Sequence, residues 1–230
     1  ELRHVCGIAG WIDLKKDLST QQKIIEEMAD TLNYRGPDAS GLWMSPHALI
    51  AHRRLIVIDP SGGSQPMIRQ KGGYNYVITY NGELYNTTDL RNVLESRGHV
   101  FFSNSDTEVL LMSYIEWGPE CVQYLNGIYA FGVWSEKDQS LFLARDRFGV
   151  KPLFYAEHGS SLIFGSELKA ILAHPLIKPE VDTEGLAEVF SLGPARTPGH
   201  GVFKGISEVK PACYILYDSN GVHMHKYWSL

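Results

Sequence analysis

Between residues 128 and 165 the chain admits only antiparallel pairing, and that limits the whole fold. Four short segments, 128–134, 140–145, 153–156 and 161–165, are rich in apolar residues and separated by turns of Gly, Asp and Ser. Parallel neighbours need a crossover of about a dozen residues or more. Turns this brief make a meander instead. Residues 6–13 read as a buried strand, and further strands are expected at 48–58, 74–80, 213–218 and 222–227. Helices fall between the strand groups. Ser19 and Gln22 have capping-box spacing ahead of a stripe of Ile24, Ile25, Met28, Ala29 and Leu32. A second helix over about 87–97 stops at Gly98, and a third starts at Ser105, again with capping-box spacing to Glu108. Shorter helices are expected at 166–173 and 183–191, and residues 193–205, rich in Gly and Pro, read as a loop leaving the core. The sum is a layered α+β fold with helices outside packed sheets.

With 230 residues, 44% of them hydrophobic, the chain can bury the core of one domain. Its net charge of -5 and the lack of any basic stripe exclude nucleic acid as a natural partner. Three cysteines are too few and too odd for a disulfide framework, which favours a cytoplasmic setting. Residues 5–12 are too short and wrongly flanked for a signal peptide, and no apolar run reaches the ~18 residues of a membrane span. The sequon Asn86-Thr87-Thr88 is then a turn.

Cys6-Gly7-Ile8-Ala9-Gly10 carries most of the functional information. Alone, a cysteine opening an apolar strand is more often a small buried hydrophobe. Further segments change that reading: Arg35-Gly36-Pro37-Asp38, His52-Arg53-Arg54-Leu55, Gln65-Pro66-Met67, Asn81-Gly82-Glu83-Leu84-Tyr85-Asn86, Ser105-Asp106-Thr107-Glu108 and the run from Arg145 to Leu153. In this order and spacing, over essentially all of residues 6–230, the chain resembles the class II glutamine amidotransferases, and within them the asparagine synthetase type. The resemblance implies an N-terminal nucleophile fold, a four-layer α/β/β/α sandwich of antiparallel sheets. It also implies hydrolysis of L-glutamine to L-glutamate and ammonia through a thioester on Cys6.

The resemblance assigns the roles. Cys6 is the nucleophile, and its own α-amine, with a reference pKa of about 7.7–8.0, is the proton acceptor. Asn81 and Gly82, which by pattern alone would be a type I′ hairpin turn, become the oxyanion donors. Arg53 and Arg54 face opposite ways on a strand, so only one enters a pocket. The resemblance selects Arg54 for the glutamine α-carboxylate, a task suited to a planar guanidinium. Asp106, favourable at a helix start for dipole reasons alone, becomes the partner of the α-ammonium, helped by Glu83 or a nearby carbonyl.

Other signals are set aside. Ser61-Gly62-Gly63-Ser64 lacks the Asp-Ser of a pyrophosphate loop and reads as a loop beside the pocket. His223 and His225 share a strand face but have no third ligand nearby, so no metal is expected. Cys121 and Cys213 read as structural thiols, and the run from Arg145 to Lys151 as a tight loop fixed by Gly149 and Pro152. Residues 1–5 read as an extension, 6–192 as the glutaminase domain, and 193–230 as a C-terminal loop and strands leading towards an ATP-dependent synthetase domain. ATP and magnesium belong to that domain, and this one needs no cofactor. A homodimer is compatible with the resemblance. With Val5 on its nitrogen, Cys6 lacks the amine base, so glutaminase activity is expected only once residues 1–5 are gone. The remaining alternatives are another ammonia acceptor, or a non-catalytic glutamine-binding module with Cys6 masked.

Overall fold

The computed structural model describes residues 5–55, 63–193 and 195–230. Twelve strands are named in chain order: β1 (Gly7–Asp13), β2 (Ala39–Met44), β3 (Ala48–Arg54), β4 (Met67–Lys71), β5 (Tyr74–Leu84), β6 (Gly127–Ser135), β7 (Ser140–Arg145), β8 (Phe154–His158), β9 (Ser161–Gly165), β10 (Ile206–Glu208), β11 (Cys213–Asp218) and β12 (Gly221–Lys226). The helices are α1 (Gln22–Asp30), α2 (Thr87–Ser96), α3 (Asp106–Trp117), α4 (Leu168–Leu172) and α5 (Thr183–Leu192).

The strands form two six-stranded sheets, ordered β10-β8-β9-β1-β3-β2 and β12-β11-β7-β6-β5-β4. Every neighbouring pair is antiparallel. Side-chain alternation then builds three cores. Along β1, Ile8 and Ile12 face between the sheets, where they join Val77, Trp134, Leu143 and Phe164. Ala9 and Trp11 face the other way, against Ile25 and Met28 of α1 and Ala170 and Ile171 of α4. On the far side, Ile78 and Phe131 pack under Leu90 and Leu94 of α2 and Leu110 of α3. The result is the expected α/β/β/α sandwich.

Several local expectations are corrected. The cap of α1 falls at Gln21 with no side-chain bond, and Ser19 instead donates its hydroxyl to Asp17 Oδ1 at 2.6 Å. A carboxylate two residues away outcompetes the helix end. Ser105 does cap α3, accepting from the Thr107 N–H at 3.1 Å. Glu108 does not complete a box there. It accepts from the N–H groups of Phe102 and Ser103 and pairs with Arg69 of β4 at 2.6 Å. The strand expected to end at residue 80 runs on to Leu84, so Asn81 and Gly82 lie opposite Ala130 and Tyr129 rather than in a hairpin turn. Strands β2, β4 and β10 form where the sequence pattern predicts none. Residues 56–58 of the expected 48–58 strand, Pro60, Ser61 and Gly62 of the next loop, and residues 1–4 lie outside the described residues. Beyond the loop that follows Gly193, β10 adds to one sheet and the expected β11 and β12 to the other, with Val209 and Ile215 buried between the sheets.

Candidate active site

A cleft of about 500 Å³ opens where the two sheets end together. It is lined by all six residues singled out from sequence: Cys6, Arg54, Asn81, Gly82, Glu83 and Asp106. Cys6 immediately precedes β1, Arg54 ends β3, the Asn81–Glu83 stretch closes β5, and Asp106 opens α3.

The Cys6 thiol lies 3.9 Å from the Leu55 carbonyl. Burial pushes its pKa up, while the Leu55 backbone and the positive charges of Arg54, Lys151 and Arg35 pull it down. The Cys6 carbonyl is held by the Arg35 Nε–H at 3.0 Å, and Arg35 is anchored to Glu167 at 2.9 Å. In the amide orientation that satisfies its neighbours, Asn81 donates from Nδ2 to the Cys6 carbonyl at 3.3 Å and accepts from Arg35 at 3.2 Å. An amide nitrogen carries two hydrogens, so Asn81 can grip the Cys6 backbone and keep one donor free for the cleft. At Gly82 any Cβ would collide with the Ile128 carbonyl, so only glycine lets β5 lie this close to β6.

Arg53 and Arg54 face opposite ways. Arg53 turns to α1, where its Nε donates to the Ala29 carbonyl at 3.2 Å and its guanidinium pairs with Asp30. Arg54 turns into the cleft and is almost wholly buried.

Asp106 accepts from the Tyr80 hydroxyl at 3.0 Å and the Leu84 N–H at 3.3 Å. Burial raises its pKa, against the lowering effect of these donors and of the Thr107 N–H. Glu83 sits exposed at the mouth.

Four residues given no role from sequence support this arrangement. Arg35 ties Cys6 to Asn81, as above. Gln65 grips Tyr80 like a missing strand, accepting from its N–H at 2.6 Å and donating to its carbonyl at 3.1 Å. Tyr80 in turn orients Asp106. Lys151 lines the cleft from the loop after β7. Arg35, Gln65 and Lys151 all lie inside the motif segments, which was their only signal. His52, beside them, is buried with its pKa lowered to about 4 and so neutral, its Nε2 3.0 Å from the Tyr80 carbonyl. Elsewhere, Cys121 and Cys213 are buried free thiols, and His225 stacks on Tyr214 at 5.0 Å. Among the described residues no group of three or more His, Cys, Asp or Glu is placed to hold a metal ion. No described helix is long and apolar enough to cross a membrane.

Two antiparallel sheets between helical layers, with Cys6 at the head of a central strand and Asn81 on the facing sheet, make the frame in which the comparisons can be placed. The family model for the glutamine amidotransferase domain matches residues 5–228, and the chain belongs to that family. It is 56% identical, over 98% of its length, to Asparagine synthetase [glutamine-hydrolyzing] 3 of Bacillus subtilis, and spans 37% of that relative. Two solved structures share the fold at low identity. One, titled as the allosteric regulatory enzyme of purine biosynthesis, has a TM-score of 0.71 at 20% identity, with 98% of this chain and 50% of that one covered. The other, the glutamine phosphoribosylpyrophosphate amidotransferase of B. subtilis, has 0.68 at 18% with the same coverage.

Proposed function

We propose that this domain hydrolyses L-glutamine to L-glutamate and ammonia, with Cys6 as nucleophile. The observation that carries the reading is the cleft itself. One thiol and one amide donor pair share it with a guanidinium, Arg54, and a carboxylate, Asp106. That set matches a zwitterionic amino acid bearing a side-chain amide.

In the proposed reaction the free α-amine of Cys6 takes the thiol proton, and the sulfur bonds to the glutamine Cδ. The carbonyl oxygen becomes an oxyanion facing Asn81 Nδ2 and the Gly82 N–H. The Cδ–N bond then breaks, and ammonia leaves with the proton held by the α-ammonium. Water attacks the thioester, passing one proton through the amine back to the sulfur, and glutamate departs. Arg54 holds the α-carboxylate, and Asp106, with Glu83, holds the α-ammonium. The 56% identical relative supports asparagine formation as the use of the ammonia. In that reading a synthetase domain supplies the β-aspartyl adenylate, and ATP and magnesium act there.

An amide nitrogen is not basic near neutral pH, so the base is available only when Cys6 is the first residue. The test compares chains beginning at Glu1 and at Cys6, with intact mass and glutamate release measured on the same samples. Turnover should appear only in the second. Full turnover with Glu1 attached would assign the base elsewhere. Glutamine binding without turnover in both would leave a binding module.

A further inference from the structure

Two buried charges are spent on one surface loop. The Asp146 carboxylate accepts from the N–H groups of Tyr129 (3.3 Å), Phe148 (3.1 Å), Val150 (2.9 Å) and Lys151 (3.0 Å). The Arg145 guanidinium donates to the carbonyls of Gly149 (2.8 Å), Lys151 (2.7 Å) and Val209 (2.7 Å) and pairs with Glu208 at 3.0 Å. Asp146 is 1% exposed and Arg145 6%. Each satisfies backbone groups that the loop would otherwise leave unpaired.

What the platform fixes is the backbone of Lys151 at the edge of the cleft. Phe148 and Val150 are exposed to solvent, whereas Lys151 is half-buried and enters the cleft that holds Cys6. The charged and titratable groups acting on it are Arg35, Cys6, Asp146 and Glu83. Burial lowers its pKa first and Arg35 next, while Cys6, Asp146 and Glu83 oppose them. Among the described residues no carboxylate closes an ion pair with its ammonium.

We propose that Lys151 is a further residue of the reaction site, its backbone held by Arg145 and Asp146 at the cleft so that its ammonium favours the negative charge that Cys6 carries. The proposal rests on reading Cys6 as the nucleophile, but its test does not need turnover. The test follows alkylation of Cys6 by iodoacetamide against pH, resolved by peptide mass, without glutamine and in the chain as it stands. Lys151→Met should move the midpoint up by about 0.5–1.5 pH units, the size of one partly screened charge. Lys151→Arg should restore most of it, and circular dichroism should show an unchanged fold. An unmoved midpoint in Lys151→Met, or equal shifts in both variants, overturns the proposal. If Lys151→Met does not fold, Lys151→Gln takes its place; failure of both would assign Lys151 to stability and also overturn it. A shifted midpoint together with no glutamate release from any chain would fault the glutaminase reading, and with it the reaction-site role, but not the charge coupling between Lys151 and Cys6.

Discussion

Removing a single hydroxyl tests the substrate clamp. Tyr80 is 2% exposed and donates to Asp106 Oδ2 at 3.0 Å, so Tyr80→Phe deletes a donor without opening a cavity. A hydrogen bond to a charged acceptor contributes about 1.5–3 kcal/mol, or about 1–2 pKa units. The Leu84 and Thr107 N–H groups still serve the carboxylate, so about one unit is expected. The sign is fixed. Burial already raises the Asp106 pKa, and losing a donor raises it further. Its folded pKa lies above the unfolded value, so its stabilising contribution is full below the unfolded pKa and lost as pH rises through the folded one. At neutral pH the charged group therefore costs stability, a cost tolerable if it binds a cation. The phenol does not confuse the experiment, because burial and then Asp106 hold its pKa far above 10. In the chain beginning at Cys6, KM for glutamine should climb as pH falls, and the climb should begin about one pH unit higher in Tyr80→Phe. At neutral pH the two should agree within about threefold. KM–pH curves that superimpose would refute the assignment of Asp106 to the α-ammonium.

Two further outcomes follow from the same cleft. Arg54→Lys should raise KM for glutamine about tenfold or more through loss of the two-pronged hydrogen bond. Arg53→Lys, on the α1 side, should leave it nearly unchanged, and equal effects in parallel KM measurements would contradict the strand-facing geometry. Asn81→Ala should lower kcat by about 10²–10³ with KM within a few-fold, provided circular dichroism shows the fold intact.

How much was legible depended on how local each cause was. Strands β1, β6, β7 and β9 are buried on both faces and read as continuous apolar runs. The edge strand β2, with the sequence Ala-Ser-Gly-Leu-Trp-Met, and the polar β4 carry no such signal, because their half-exposed side chains need no pattern. Ser105 as a cap was local and readable. The fate of Glu108 was not, since its partner Arg69 lies on another element. In the site, strand period two separated Arg53 from Arg54, and the motif segments picked out Cys6, Asn81 and Asp106. Arg35, Gln65 and Tyr80 escaped because they act through backbone atoms or side chains distant in sequence.

In the proposed reaction the oxyanion donors are neutral amides, and the charges of the cleft suit that choice. Arg35 is already paired to Glu167. Arg54, Lys151, Asp106 and Glu83 line the cleft, and a bound zwitterion adds no net charge to it. Along the proposed reaction, the only negative charge added is the one on sulfur and then on the carbonyl oxygen. An additional cation at Asn81 would already attract the ground-state carbonyl and carboxylate, binding substrate and transition state alike. A fixed amide dipole gains most when the anion forms. The Asn81 amide is fixed in this way, between Arg35 and the carbonyl of the nucleophile itself. In the proposed reaction, selectivity for the transition state then comes from where this neutral donor is held, and the surrounding cations set how readily the thiolate forms.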